Sequence, residues 1–210
     1  MTPLPSSPTH VIIISGPAGS GKTTLCDRLL EEFGDSIRRV VTSTSRQPRP
    51  GEVDGVDYHF LGKEEFARRI RNGDFIEWAL VHGRYYGSER AHILRMLEGG
   101  HDILLNIDVQ GAETFRLKAR SSPELEGKVH TIFIKPRSLE QIRERLLHRG
   151  SDDEAEIQRR LRSAEEEIKV ADHFDHVILS GSREADYTAL RAHYLDLKCH
   201  PADSSNNTQK

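Results

Sequence analysis

Eight residues near the start, Gly16-Pro17-Ala18-Gly19-Ser20-Gly21-Lys22-Thr23, limit the possible folds of this chain more than any other stretch. They fit G-x-x-x-x-G-K-[ST] in full. An aliphatic run, HVIIIS (10–15), precedes them, and a helical pattern with Leu25, Leu29, Leu30 and Phe33 on one face follows. Gly34 is placed to end that helix. A buried strand, a glycine-rich turn and a helix in this order call for an α/β sheet with right-handed crossovers. The glycines let successive backbone N–H groups turn inward around a phosphate, and the helix N-terminus adds positive potential. Gly16 to Thr23, with Thr24 next to them, are therefore read as an ATP-binding loop. Lys22 is expected at the β- and γ-phosphates and the Thr23 hydroxyl at Mg²⁺.

The same alternation runs through the rest of the chain. Strands are expected near 38–41, over DILLNIDV (102–109), VHTIFI (129–134) and HVILS (176–180), with a hairpin over 75–87 turning near His82-Gly83. Helices are expected over about 63–72, 89–97 and 184–197, and a charged helical region over 139–171. On a strand reaching 109, Asn106 and Asp108 share a face. Two segments, 42–93 and 138–168, interrupt the alternation and read as inserted lobes on a core of 10–41, 94–137 and 169–199. Residues 1–9 and 200–210 read as loose tails.

At 210 residues, the chain has length for one domain with a substantial core. Its net charge of −3 disfavours a nucleic-acid polymer as the main partner. Two cysteines, Cys26 and Cys199, make no disulfide framework, and the longest aliphatic run is far too short to span a membrane. The start lacks the pattern of a signal peptide, so the expectation is a soluble, cytoplasmic protein. Eleven histidines, two of them at 173 and 176, complete no tetrahedral metal set in the sequence. Cys26 reads as a small packing residue.

The second informative stretch is TSTSRQPRPGEVDGVDYHF (42–60), nineteen residues after the phosphate loop. Arg46 and Arg49 are fixed donors suited to bidentate phosphate contacts, Pro48 and Pro50 restrict the backbone around them, and Tyr58 adds a hydroxyl. A solvated, proline-rich loop with unrelated charges is the other reading of these residues. A triphosphate site and a monophosphate site this close suggest phosphoryl transfer between two nucleotides.

Residues 42–60 resemble the signature of guanylate kinases, and the likeness continues through EWALVHGRYYGS (77–88), LLNIDVQG (104–111) and the arginine-rich region 145–160. The resemblance implies a P-loop nucleoside monophosphate kinase fold, a parallel sheet core flanked by helices, with a GMP-binding lobe and a lid. It implies that Arg46, Arg49, Tyr58 and Tyr86 hold the phosphate of GMP, and that Thr42, Glu77, Ser88 and Asp108 face guanine. Carboxylates at Glu77 and Asp108 can accept from the ring N–H groups, while hydroxyls at Thr42 and Ser88 can donate to O6. Adenine reverses this pattern, and such sites reject analogues by roughly 10⁴-fold. The resemblance further implies that Arg145, Arg149 and Arg160 belong to a lid that, with Lys22 and Arg46, surrounds the transferring phosphoryl. Arg143, Arg159 and Arg162 read as a solvated ion-pair face. The implied activity is phosphorylation of GMP by ATP with Mg²⁺, in a monomer or homodimer.

Three positions depart from the family pattern. Thr42 stands where serine is usual, Asn106 where an acid is common, and Ser180-Gly181-Ser182 near the usual Asn-Asp pair at the adenine end. A non-catalytic guanylate-kinase-like interaction module and a kinase for another phosphorylated acceptor are the alternatives.

Overall fold

The computed structural model describes residues 9–81, 83–149 and 153–199; both expected tails lie largely outside that range, as does His82 of the hairpin turn. Five parallel strands form the main sheet. They are β1 (Val11–Ser15), β2 (Ile37–Arg39), β7 (Asp102–Asn106), β8 (Val129–Lys135) and β9 (His176–Leu179), in the spatial order β2-β7-β1-β8-β9. β1 takes the middle because all five of its residues are buried, with Ile12 paired to Leu104 on one side and His130 on the other. Strands covered on both faces need an unbroken apolar run, and VIIIS supplies one.

Alternate residues of these strands enter two cores. Ile12, Ile14, Leu104, Ile132 and Ile134 pack with α1 (Lys22–Phe33) and α7 (Arg183–Cys199). Val11, Ile13, Ile103, Leu105 and Phe133 face the other side, against α3 (Arg90–Glu98) and α4 (Val109–Ala119). Cys26 is buried in the first of these cores, as its packing role requires.

Segment 42–93 carries a second sheet, β4-β3-β6-β5, built from β3 (Ser43–Thr44), β4 (His59–Phe60), β5 (Phe75–Val81) and β6 (Arg84–Glu89), with α2 (Lys63–Asn72) beside it. β5 and β6 form the expected hairpin, and Gly73 in left-handed conformation ends α2. The short strands β3 and β4 lie in a stretch whose prolines and polar residues gave no strand signal. The boundary expected between 93 and 94 falls inside α3. Segment 138–168 supplies α5 (Leu139–Arg149) and α6 (Glu154–Lys169), which share a small core of Ile142, Leu146, Ile157 and Ala164. One turn of 3-10 helix, Ala171–His173, links α6 toward β9.

The strand expected over 102–109 is corrected by three residues. β7 stops at Asn106, and Asp108 instead caps α4, its Oδ1 accepting from the N–H groups of Gln110 at 2.9 Å and Gly111 at 3.1 Å. The shared-face argument for Asn106 and Asp108 therefore fails as geometry. α4 gave little sequence signal because small residues, Gly111, Ala112 and Ala119, make up much of its buried face.

Candidate functional site

The phosphate loop leaves β1 at the carboxyl edge of the main sheet, where α/β folds place their ligands. Gly16 holds φ 136°, and a Cβ there would come within 2.6 Å of the Ile134 carbonyl oxygen, so no other residue fits. Lys22 Nζ donates to the carbonyls of Gly16 at 2.5 Å and Pro17 at 2.9 Å, bending back over the loop. The Ser20 hydroxyl is buried with no hydrogen-bond partner among the described residues. Thr23 and Thr24 are exposed at the start of α1.

Arg145 grips this loop from α5. Its guanidinium donates to the carbonyls of Ser20 at 3.0 Å and Gly19 at 3.4 Å, and to Ser180 Oγ at 3.2 Å. Ser180 in turn donates to Asp186 Oδ2 at 2.8 Å, and Gly181 N–H donates to Asp186 Oδ1 at 2.6 Å. The Ser180-Gly181 turn is thus tied to α7 and, through Arg145, to the phosphate loop. Arg145, on the segment expected to form the lid, donates here to the loop backbone.

A cavity of about 600 Å³ opens between the loop, the second sheet and α6. Gly16, Ala18, Lys22 and Thr23 line its donor end. Across from them stand Thr42, Arg49, Tyr58, Glu77 and Tyr86, joined by Asp108 from the cap of α4. Arg160 enters from α6, its Nε donating to Glu156 Oε1 at 2.9 Å. Most of the residues expected at the two nucleotide sites thus face one cavity.

Of the phosphate-loop residues, Pro17, Gly19, Ser20, Gly21 and Thr24 do not line it, and neither do three expected residues from elsewhere. Ser88 is fully buried one step behind Glu77, and its hydroxyl donates to Glu77 Oε1 at 2.6 Å. A hydroxyl has one proton to give, so Ser88 orients Glu77 here and does not donate toward O6. Arg46 is buried and makes a two-pronged ion pair with Glu52, at 2.5 and 2.6 Å, with its guanidinium 4.9 Å from the Tyr58 ring. It lines a neighbouring cavity of about 460 Å³ whose wall includes Arg49. The third is Arg145, on the loop backbone. Arg149 ends α5, and its side chain lies outside the described atoms.

The electrostatics follow from burial. Glu77 is 2% exposed, and removal from water pushes its carboxyl up to about 7, opposed by the Ser88 hydrogen bond. Glu167 on α6, half-buried in the same cavity, is likewise pushed up to about 7 by burial. The Arg46 hydrogen bonds hold Glu52 down to about 2. Desolvation raises the Tyr58 hydroxyl above its ordinary value.

Sequence reasoning did not single out Glu167 or Arg84, both of which line the cavity. Arg159, expected on a solvated face, lines it too and pairs with Glu156. The missed signal was spacing: Glu156, Arg160 and Glu167 recur near whole turns of one helix. Histidine 173 pairs with Glu113 at 3.1 Å, and among the described residues no group of three His, Cys, Asp or Glu could hold a metal ion. The amide of Asn106 donates to Thr23 Oγ1 at 3.3 Å, and Asp108 and Glu167 line the same cavity. These are hard oxygen donors, few in number. They fit a magnesium ion that keeps its waters and is held mainly by nucleotide phosphates.

Comparison with known proteins gives one answer. The sequence profile described as guanylate kinase matches residues 8–195. A guanylate kinase of Chlamydia felis (strain Fe/C-56) is 42% identical over 182 residues, covering 87% of this chain and 85% of that protein. Another, from Clostridioides difficile (strain 630), is 41% identical over 170 residues, covering 81% and 79%. Among solved structures, guanylate kinase from Anaplasma phagocytophilum matches with a TM-score of 0.71 and 32% identity, covering 94% of this chain and 89% of that one.

Proposed function

The chain belongs to the guanylate kinase family, and from that premise we infer that it phosphorylates GMP to GDP in this cavity, with ATP as donor, by direct in-line transfer assisted by Mg²⁺. The observation that carries the acceptor assignment is Glu77, a buried carboxyl that lines the cavity from β5 of the second sheet. A buried carboxylate needs N–H donors, and guanine offers two on one edge. Asp108 Oδ2, left over from capping, is the second acceptor, and the Thr42 hydroxyl, which lines the same cavity, is the donor assigned to O6.

The phosphate of GMP is already ionised near neutral pH, so the reaction needs no general base. Catalysis rests on positioning and on charge neutralisation. Lys22 leaves its loop carbonyls for the β- and γ-phosphates, while Arg49, Tyr58 and Tyr86 hold the acceptor phosphate. Arg46 joins them by exchanging Glu52 for the phosphate. Arg160, carried by α6, meets the transferring phosphoryl, and its arrival makes exclusion of water conditional on both nucleotides. When bound, Mg²⁺ would neutralise charge on the phosphates, held by Thr23 with Asn106 beside it.

All of these groups come from a single chain, so a monomer suffices for turnover. Cys26 and Cys199 are unpaired, which suits the reducing cytoplasm where we place the reaction. Among the described residues, no helix is long and apolar enough to cross a membrane.

An acceptor screen with ATP and Mg²⁺ tests the reading. ADP release is expected with GMP and not with AMP, UMP or a sugar phosphate. Failure with every acceptor would instead mark a binding module. Arg160→Ala is expected to lower kcat by roughly 10²–10³ with GMP binding little changed. Near-normal turnover would remove Arg160 from that role.

A further inference from the structure

Helix α6 lies along the cavity like a rail. Arg160 and Glu167 both face it and are seven residues apart, so their backbone positions are separated by about 10 Å along the axis. The Arg160 end serves the transferring phosphoryl in the proposed reaction. At the Glu167 end, Lys22 of the phosphate loop attracts the carboxylate and Asp108 repels it.

The surroundings of Thr23 make that carboxylate informative. Phosphate-loop enzymes commonly use an acidic side chain beside the loop to orient the metal. Here the side chain that reaches the Thr23 hydroxyl from the end of β7 is an amide, Asn106, and it brings no charge. Asp108 is committed through Oδ1 to the first turn of α4. Of the other carboxylates that line this cavity, Glu77 is assigned to guanine and Glu156 is paired with Arg159 and Arg160, which leaves Glu167 beside Lys22, Thr23 and Asn106 in the lining.

We propose that Glu167 is a positioning residue that supplies, from α6, the negative charge absent at Asn106, so that the site selects magnesium-bound ATP over the bare nucleotide. Because Arg160 rides on the same helix, the form of the donor decides how α6 settles and where the arginine sits. The inference rests on the reading of ATP with Mg²⁺ as donor.

The consequence separates a charge role from a structural one. A carboxylate near the triphosphate repels metal-free ATP and favours the metal-bound form. Replacing Glu167 should therefore affect the two forms differently. Calorimetric titration of ATP at pH 8.5, where Glu167 is ionised, without GMP, in Mg²⁺ or in EDTA, tests this on wild type, Glu167→Gln, Asn106→Asp and the double variant.

The preference for Mg²⁺-ATP over free ATP is expected to drop about tenfold in Glu167→Gln, within the range of typical site couplings. Free ATP should bind the variant as tightly as wild type or more so. Asn106→Asp should restore the preference in the double variant and raise it in the wild-type background. An unchanged preference in Glu167→Gln, or equal weakening of both forms, would overturn the inference while leaving the donor reading intact. A wild type that binds both forms alike would overturn the metal part of the donor reading and this inference with it.

Discussion

Glu77 has to be charged for its proposed task, in a place that disfavours charge. Below about 7 its carboxyl holds a proton and can no longer accept from both guanine N–H groups. GMP affinity is therefore expected to fall about tenfold per pH unit below that point. The GMP phosphate titrates near 6 as well, so the Glu77 share is the part missing from Glu77→Gln. Stability runs the other way. The folded value lies above the ordinary carboxylate value of 4.5, so the stabilisation from neutral Glu77 is complete below 4.5 and is lost as pH rises through about 7. A shift of this size corresponds to roughly 3 kcal/mol. Glu77→Gln should thus weaken GMP binding by roughly 10–100-fold, as for lost hydrogen bonds to a charged group, yet melt higher than wild type at pH 8 and not at pH 4.5. A melting difference independent of pH would reject the buried-charge account. Glu77 and Tyr86 were reached through the family resemblance, and Tyr58 also as a hydroxyl beside two arginines; all three line the cavity. Sequence did not show that Glu52 holds Arg46 or that Ser88 serves Glu77. Those pairings depend on which side chains burial forces together, and burial is a property of the folded chain.

At the scale of elements, the first turn of α4 sets the guanine end. Asp108 caps the helix, and Gly111, one turn on, sits so near β5 that a Cβ would come 2.9 Å from Glu77 Oε2. Gly111→Ala is expected to raise the KM for GMP at least about tenfold by displacing that carboxylate, with the KM for ATP unchanged. Alanine favours the helix by about 1 kcal/mol, so thermal stability should change little. Equal effects on both substrates in steady-state kinetics would show that the turn does more than place Glu77. The strands of the main sheet were legible as apolar runs and α1 as a stripe of leucines. α4 was not, because a helix whose buried face is glycine and alanine carries almost no periodic signal. The same weakness led the expected strand past Asn106 to 109.

Across the whole molecule, the edge away from the cavity is tied at one buried carboxylate. Asp102, 1% exposed at the start of β7, accepts from the His10 backbone N–H at 2.9 Å and the Tyr194 hydroxyl at 2.8 Å, with Lys198 Nζ at 3.0 Å. This fastens β1, β7 and α7 to one another. Tyr194→Phe is expected to cost about 1.5–3 kcal/mol and to lower the melting temperature by roughly 4–10 °C. Both KM values and kcat should stay as they are, and a kinetic change would mean that this edge communicates with the site. The α/β class was readable from alternation alone, but the second sheet was not, since its strands β3 and β4 have two residues each. That second sheet carries a lasting consequence. Apart from Asp108, the groups that judge the incoming base are mounted away from the cradle that grips the donor. Substitutions in one mounting can therefore redraw which monophosphate is admitted while the other continues to present the same triphosphate.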